Sequence, residues 1–118
     1  RTLLRIYGMV NRGEASWASL PAAEQEEMDE TVAMLAEAAA QGHVEAQLYL
    51  GDTYGFGYGV GQDYGRAFEL YMQAAQQGDV LSQYNLGIMY RDGKGCEQSH
   101  ERAVEWWAKG GRRSRAMF

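Results

Sequence analysis

The sequence predicts an all-α chain, an α/α solenoid of antiparallel helical hairpins behind an N-terminal helical cap. Three observations carry that prediction. The first is an internal repeat of 36 residues, in which Leu50-Gly51-x-x-Tyr54-x-x-Gly57-x-Gly59 returns as Leu86-Gly87-x-x-Tyr90-x-x-Gly93-x-Gly95. The register holds without a gap, pairing Gln47 with Gln83, Gln62 with Gln98, Arg66-Ala67 with Arg102-Ala103 and Tyr71 with Trp107. A period of roughly 20–50 residues marks stacked supersecondary units, none of which buries its apolar face alone. The second observation is helical spacing within each unit, and the third is the cap and glycine punctuation between helices.

Taken in order, residues 2–11 predict a short helix with Asn11-Arg12-Gly13 as its stop signal. Ser19 then stands where it would cap a long helix running from near Leu20 to about Gln41, with Pro21 tolerated in the first turn. Glu24, Glu26, Glu27, Asp29 and Glu30 enrich the N-terminal half of that helix, where carboxylates complement the helix dipole. The next helix is predicted at about 43–56, with Ala46, Leu50 and Tyr54 on one face. Its partner at about 64–77 is capped by Asp63 and carries Ala67, Leu70, Tyr71 and Ala74. One period on, helices at about 79–92 and 100–109 repeat the pattern, capped by Asp79 and Ser99.

Gly42 and Gly78 stand just past helix ends, and the glycine-rich stretches 55–59 and 92–95 turn the chain between paired helices. Gly51 and Gly87 lie in mid-helix, where glycine costs about 1 kcal/mol relative to alanine. Their recurrence predicts a neighbouring helix too close for a side chain. Where the first unit has Ala74-Ala75 the second has Gly110-Gly111, so the last helix is expected to stop near Lys109. The organisation is therefore an N-terminal region over 1–42 with a degenerate half-repeat, units at 43–78 and 79–114, and a tail at 115–118.

Composition narrows the function. A net charge of −5 argues against a general nucleic-acid binder. Residues 1–63 hold ten acids and three bases, and residues 64–118 hold six acids and eight bases. Arg112-Arg113-Ser114-Arg115 is the one basic cluster and reads as a solvated tail. Cys96 is the sole cysteine, which rules out an internal disulfide and is compatible with a reducing compartment, cytoplasmic or organellar. No stretch is apolar and long enough to span a bilayer. The opening Arg1 predicts a processed or excised chain.

Bond-making chemistry finds no foothold. The loop at 55–61 lacks the Lys-Ser/Thr of a phosphate-binding P-loop, and the acids of residues 92–97 miss the alternating positions of a calcium loop. His43 and His100 occupy unrelated places in their units. We therefore expect no catalytic residues, no metal and no cofactor. One face of the first helix in each unit is left over by packing: Tyr49, Asp52 and Thr53, then Asn85, Ile88 and Met89 one period later. In a hairpin solenoid the first helices line the concave groove, so these six are the candidate protein-binding surface.

The combination Ala46-Gln47, Leu50-Gly51, Tyr54, Gly57, Gly59, Arg66-Ala67, Tyr71, Ala74-Ala75 and Gly78 resembles the Sel1-like repeat, a relative of the tetratricopeptide repeat. The second copy matches at Gln83, Leu86-Gly87, Tyr90, Gly93, Gly95, Arg102-Ala103 and Trp107. The resemblance implies a non-enzymatic scaffold or adaptor that binds a protein or peptide partner through the solenoid groove. The alternative is a structural accessory subunit held permanently in a larger, for instance organellar, complex. With two complete units, fewer than the roughly three that a stable stack needs, the N-terminal helices must cap the array or a partner must cover an end.

Overall fold

The computed structural model describes the backbone of residues 2–116 and the side chains of residues 2–110. Six helices run in chain order through the described residues: α1 (Thr2–Asn11), α2 (Ala22–Ala40), α3 (Val44–Phe56), α4 (Tyr64–Gln76), α5 (Val80–Asp92) and α6 (His100–Ala116). Helices α3 and α4 form one hairpin and α5 and α6 the next, while α2 packs on α3 and α4 on α5. The stack measures 43 × 27 × 26 Å.

Each hairpin closes around its mid-helix glycine. A Cβ on Gly51 would lie 2.7 Å from Cε1 of Tyr71, and one on Gly87 would overlap the indole of Trp107. Tyr71 and Trp107 are one period apart, so the same aromatic position lies across the same glycine in both units. The turns after α3 and α5 are equally regular. Gly57 and Gly93 end these helices in the left-handed region, with φ of 72° and 69°, where a Cβ would clash. Gln62 and Gln98 then staple the turns by donating to the carbonyls of Gly55 and Arg91 at 2.8 and 2.7 Å.

Units are joined by a second repeated pair. Gln47 donates to the carbonyl of Ala39 at 3.2 Å and Gln83 to that of Ala75 at 3.1 Å, both side chains being buried. Each glutamine adds a second donor to a carbonyl in the last turn of the preceding helix, which also accepts from the N–H of Gly42 or Gly78 at 3.0 Å. The core follows the same logic. Leu48, Ala67, Tyr71, Ala75, Leu86 and Met89 form one buried cluster between the units, and Ala39, Ala46 and Leu50 form another against α2.

The predicted caps at Asp63, Asp79 and Ser99 accept from the backbone N–H of Arg66, Ser82 and Arg102 at 3.1, 2.8 and 3.2 Å. Two expectations are corrected. Helix α2 starts at Ala22 with Pro21 as its N-cap, and no side chain caps it. Ser19 instead closes a turn onto Ser16 through its N–H at 3.0 Å. Leu20 precedes proline, and the proline ring disfavours helical geometry for the residue before it, so the helix cannot begin there. At the other end α6 continues through Gly110-Gly111 to Ala116. Gly110 is buried against α5, within van der Waals range of Val80 and Gln83 for any added Cβ, and that packing outweighs the helix cost of glycine.

The N-terminal region caps the stack. Arg5 of α1 pairs with Glu24 at 3.5 Å and with Glu27, and Ile6 is fully buried. Met28 of α2 lies against the turn at Gly59, as Tyr64 lies against the turn at Gly95 one period later. Helix α2 thus packs on α3 as α4 packs on α5.

Candidate protein-binding groove

The first helices α3 and α5 each keep a partly exposed face. Along that face Asn85 and Ile88 of α5 line a cavity of about 170 Å³ together with Phe56, Tyr64, Tyr71 and Lys94. Phe56, at the end of α3, is 63% exposed. Tyr49, one period before Asn85, is also exposed. Asp52, one period before Ile88, is partly buried and accepts a hydrogen bond from the Tyr71 hydroxyl.

Two of the six nominated residues are corrected. Thr53 is fully buried and turns its hydroxyl back onto the carbonyl of Tyr49 at 2.8 Å. Met89 sits in the core cluster with Leu48 and Leu86, and reaches the cavity only as its floor. The i+4 position rotates toward the neighbouring helices, whereas i and i+3 keep some exposure. Tyr49 is exposed, and Asp52, Asn85 and Ile88 are partly buried.

Burial pushes the Asp52 carboxyl above its ordinary range, against the opposing effect of the bond from Tyr71. Burial likewise raises the Tyr71 hydroxyl far above the usual phenol range, with the Asp52 carboxylate adding to the shift. Tyr71 therefore stays protonated and donates. The pair belongs to the first unit alone, because the same positions hold Ile88 and Trp107 in the second. There the indole N–H donates to the carbonyl of Tyr84 at 3.1 Å.

Beyond α3 the groove becomes aromatic. Tyr58 stacks on Phe56 with ring centroids 5.5 Å apart, and meets Trp17 at 4.9 Å and Tyr7 at 6.0 Å. At the other end Lys94 stands 5.3 Å over the ring of Tyr64. In the sequence these positions read as turn or N-terminal cap. A signal was present: Phe56 and Tyr58 replace the residues that match Asp92 and Lys94 in the second unit, while the intervening glycines are kept. A position that changes while its turn does not is free to serve a surface.

Cys96 is partly buried beside the carbonyl of Met89 at 3.7 Å, and burial raises its thiol above the ordinary range, as suits a packing residue. Among the described residues no group of three or more His, Cys, Asp or Glu side chains is placed to hold a metal ion. No helix among them is long and apolar enough to cross a membrane.

The sequence model of the Sel1 repeat matches residues 44–79 and 80–114. The chain belongs to the Sel1 repeat family. Among solved structures it is similar to a Sel1 repeat protein from Oxalobacter formigenes, at 33% identity and a TM-score of 0.68 over 70% of this chain and 63% of that one. It is also similar to a protective antigen of uropathogenic Escherichia coli that displays an SLR fold, at 33% identity and a TM-score of 0.67 over 70% of this chain. The chain spans 63% of the first and 18% of the second. Among curated proteins nothing matches. Sel1 repeats are generally protein–protein interaction modules, and the fold is typically a non-catalytic scaffold with protein partners.

Proposed function

We propose that this Sel1 repeat chain is a non-enzymatic adaptor that holds a protein or peptide partner in the concave groove of α3 and α5. The observation that carries the reading is the exposed Phe56 beside Ile88 at the mouth of the cavity, continued by Tyr58, Trp17 and Tyr7. Rigid aromatic and aliphatic groups of this kind anchor protein interfaces because they bury much area at little conformational cost. Tyr49 and Asn85 add polar groups along the same face, which orient a chain laid across it. The groove binds through shape and side-chain complementarity, and no bond is made or broken.

The test charges the groove and leaves the core alone. Proteins retained from lysate by the wild-type chain are compared with those retained by Phe56→Asp and Ile88→Asp variants, with circular dichroism confirming unchanged helicity. A shared partner lost by both variants supports the groove. A partner set unchanged in both overturns it.

A further inference from the structure

The repeat makes the first unit a guide to the second. Lys94 holds the position of Tyr58 one period on, and Asn85 and Ile88 hold those of Tyr49 and Asp52. In the first unit this turn is covered, because the rings of Trp17 and Tyr7 lie against Tyr58 with centroids 4.9 and 6.0 Å away. In the second unit the equivalent turn lines the cavity between the units, with Lys94 at its edge over the ring of Tyr64. The chain itself thus shows the class of group that this repeat turn receives, an aromatic side chain supplied from outside the hairpin.

Size and charge narrow the occupant. At about 170 Å³ the cavity falls below the roughly 300–1,000 Å³ of sites that enclose drug-sized ligands, and matches a single large side chain. Phe56, Tyr64, Ile88 and Met89 give it aromatic and aliphatic walls, and among its described lining residues Lys94 is the one charged side chain. The acids beside it are engaged elsewhere: Asp92 pairs with Arg91 at 2.8 Å, and Asp52, behind the Tyr71 wall, accepts from the Tyr71 hydroxyl. The Lys94 ammonium is complementary to a carboxylate arriving at the mouth of the cavity.

We propose, building on the groove as the partner-binding face, that this cavity selects a peptide segment of the partner protein in which an aromatic residue lies within two positions of an aspartate or glutamate. The aromatic side chain enters beside Phe56 and Ile88, standing to Lys94 as Trp17 stands to Tyr58, and the neighbouring carboxylate pairs with the Lys94 ammonium. The ring supplies the buried area, and the ion pair sets the direction in which the segment lies.

Selection of random-sequence peptides displayed on phage tests this directly. Peptides enriched on the wild-type chain are rescored on Ile88→Asp, Phe56→Asp and Lys94→Met, three positions outside the buried core clusters, with dichroism confirming that each variant is folded. We expect the enriched sequences to share an aromatic residue within two positions of Asp or Glu and to be lost on Ile88→Asp and Phe56→Asp. As synthetic peptides they should bind Lys94→Met about 1.5–5-fold more weakly by fluorescence anisotropy, the range of an exposed ion pair. Replacing the peptide's acid with its amide should cost the same factor on the wild type and nothing on Lys94→Met. Cavity-dependent peptides that lack the aromatic and acidic pair overturn the proposal and leave the groove as the binding face. A peptide set indifferent to both Ile88→Asp and Phe56→Asp overturns the proposal and the groove together. An effect of the peptide's acid that persists on Lys94→Met overturns the pairing with Lys94.

Discussion

Replacing Gly51 with alanine tests a close approach in the buried part of the fold. In an unobstructed helix the change would stabilise by about 1 kcal/mol. Here the new methyl would lie 2.7 and 2.9 Å from Cε1 and Cδ1 of Tyr71, well inside the roughly 3.5–4.0 Å at which carbon atoms rest. Tyr71 is 3% exposed and its hydroxyl is bonded to Asp52, so the ring cannot swing away without giving up a bond worth about 1.5–3 kcal/mol to a charged acceptor. Overpacking of a closed core costs about 1–3 kcal/mol in its own right. With the helix gain subtracted from the two losses, we expect Gly51→Ala to destabilise by about 1.5–5 kcal/mol. Urea unfolding followed by circular dichroism measures it as a lower midpoint at unchanged slope. In a Tyr71→Ala background the obstruction is gone, and the same glycine substitution should then stabilise by about 1 kcal/mol. At Gly87 an added Cβ would fall still closer to the indole of Trp107, whose N–H is bonded to the carbonyl of Tyr84, so Gly87→Ala should cost at least as much. A raised midpoint for Gly51→Ala in the wild-type background would refute the close-packing account of the conserved register.

Three further outcomes are expected. Gln47→Ala takes one of two donors from the carbonyl of Ala39 and removes an acceptor for Gln77, and should lower stability by about 0.5–1.5 kcal/mol in the same urea assay. Asp52→Asn should gain on the wild type as pH rises: the folded carboxyl titrates above its unfolded range, so the wild type loses stability from about pH 4 up through the raised value and is level beyond it. Urea midpoints from pH 4 to pH 7 would show a gap that widens and then levels off, and a gap independent of pH would contradict the assignment. Met89→Asp should unfold the chain where Ile88→Asp leaves its dichroism intact, since the first faces the core cluster and the second the cavity.

The repeat units were legible because packing and punctuation recur together. Asp63, Asp79 and Ser99 cap by local hydrogen bonds that depend on little but their own turn, and mid-helix glycine has few uses other than close approach. The helix ends that were misplaced depend on context. Ser19 has the chemistry of a cap, yet Pro21 controls the backbone beside it, and Gly110-Gly111 has a poor helix propensity that burial against α5 overrides. Burial along the nominated helix face was half legible. Spacing of i, i+3 and i+4 defines a face about as wide as one helix stripe, and only the positions of α4 and α6 decide that Thr53 and Met89 fall on its inner edge. The aromatic extension needed residues far apart in sequence, Tyr7 and Trp17 meeting Tyr58, and no periodicity links them.

The three tryptophans of the chain are Trp17, in the aromatic cluster at the capped end, and Trp106 and Trp107, on the last helix. The central helices α3, α4 and α5 contain none. Indole emission is therefore a thermometer for the two extremities of the array, while far-ultraviolet dichroism averages over every turn. In a linear array each unit is held by its neighbours, and terminal units have one neighbour instead of two. Emission changes that precede the loss of dichroism would resolve fraying from global melting in the unlabelled protein, and coincident curves would mean that the ends are bound as tightly as the middle.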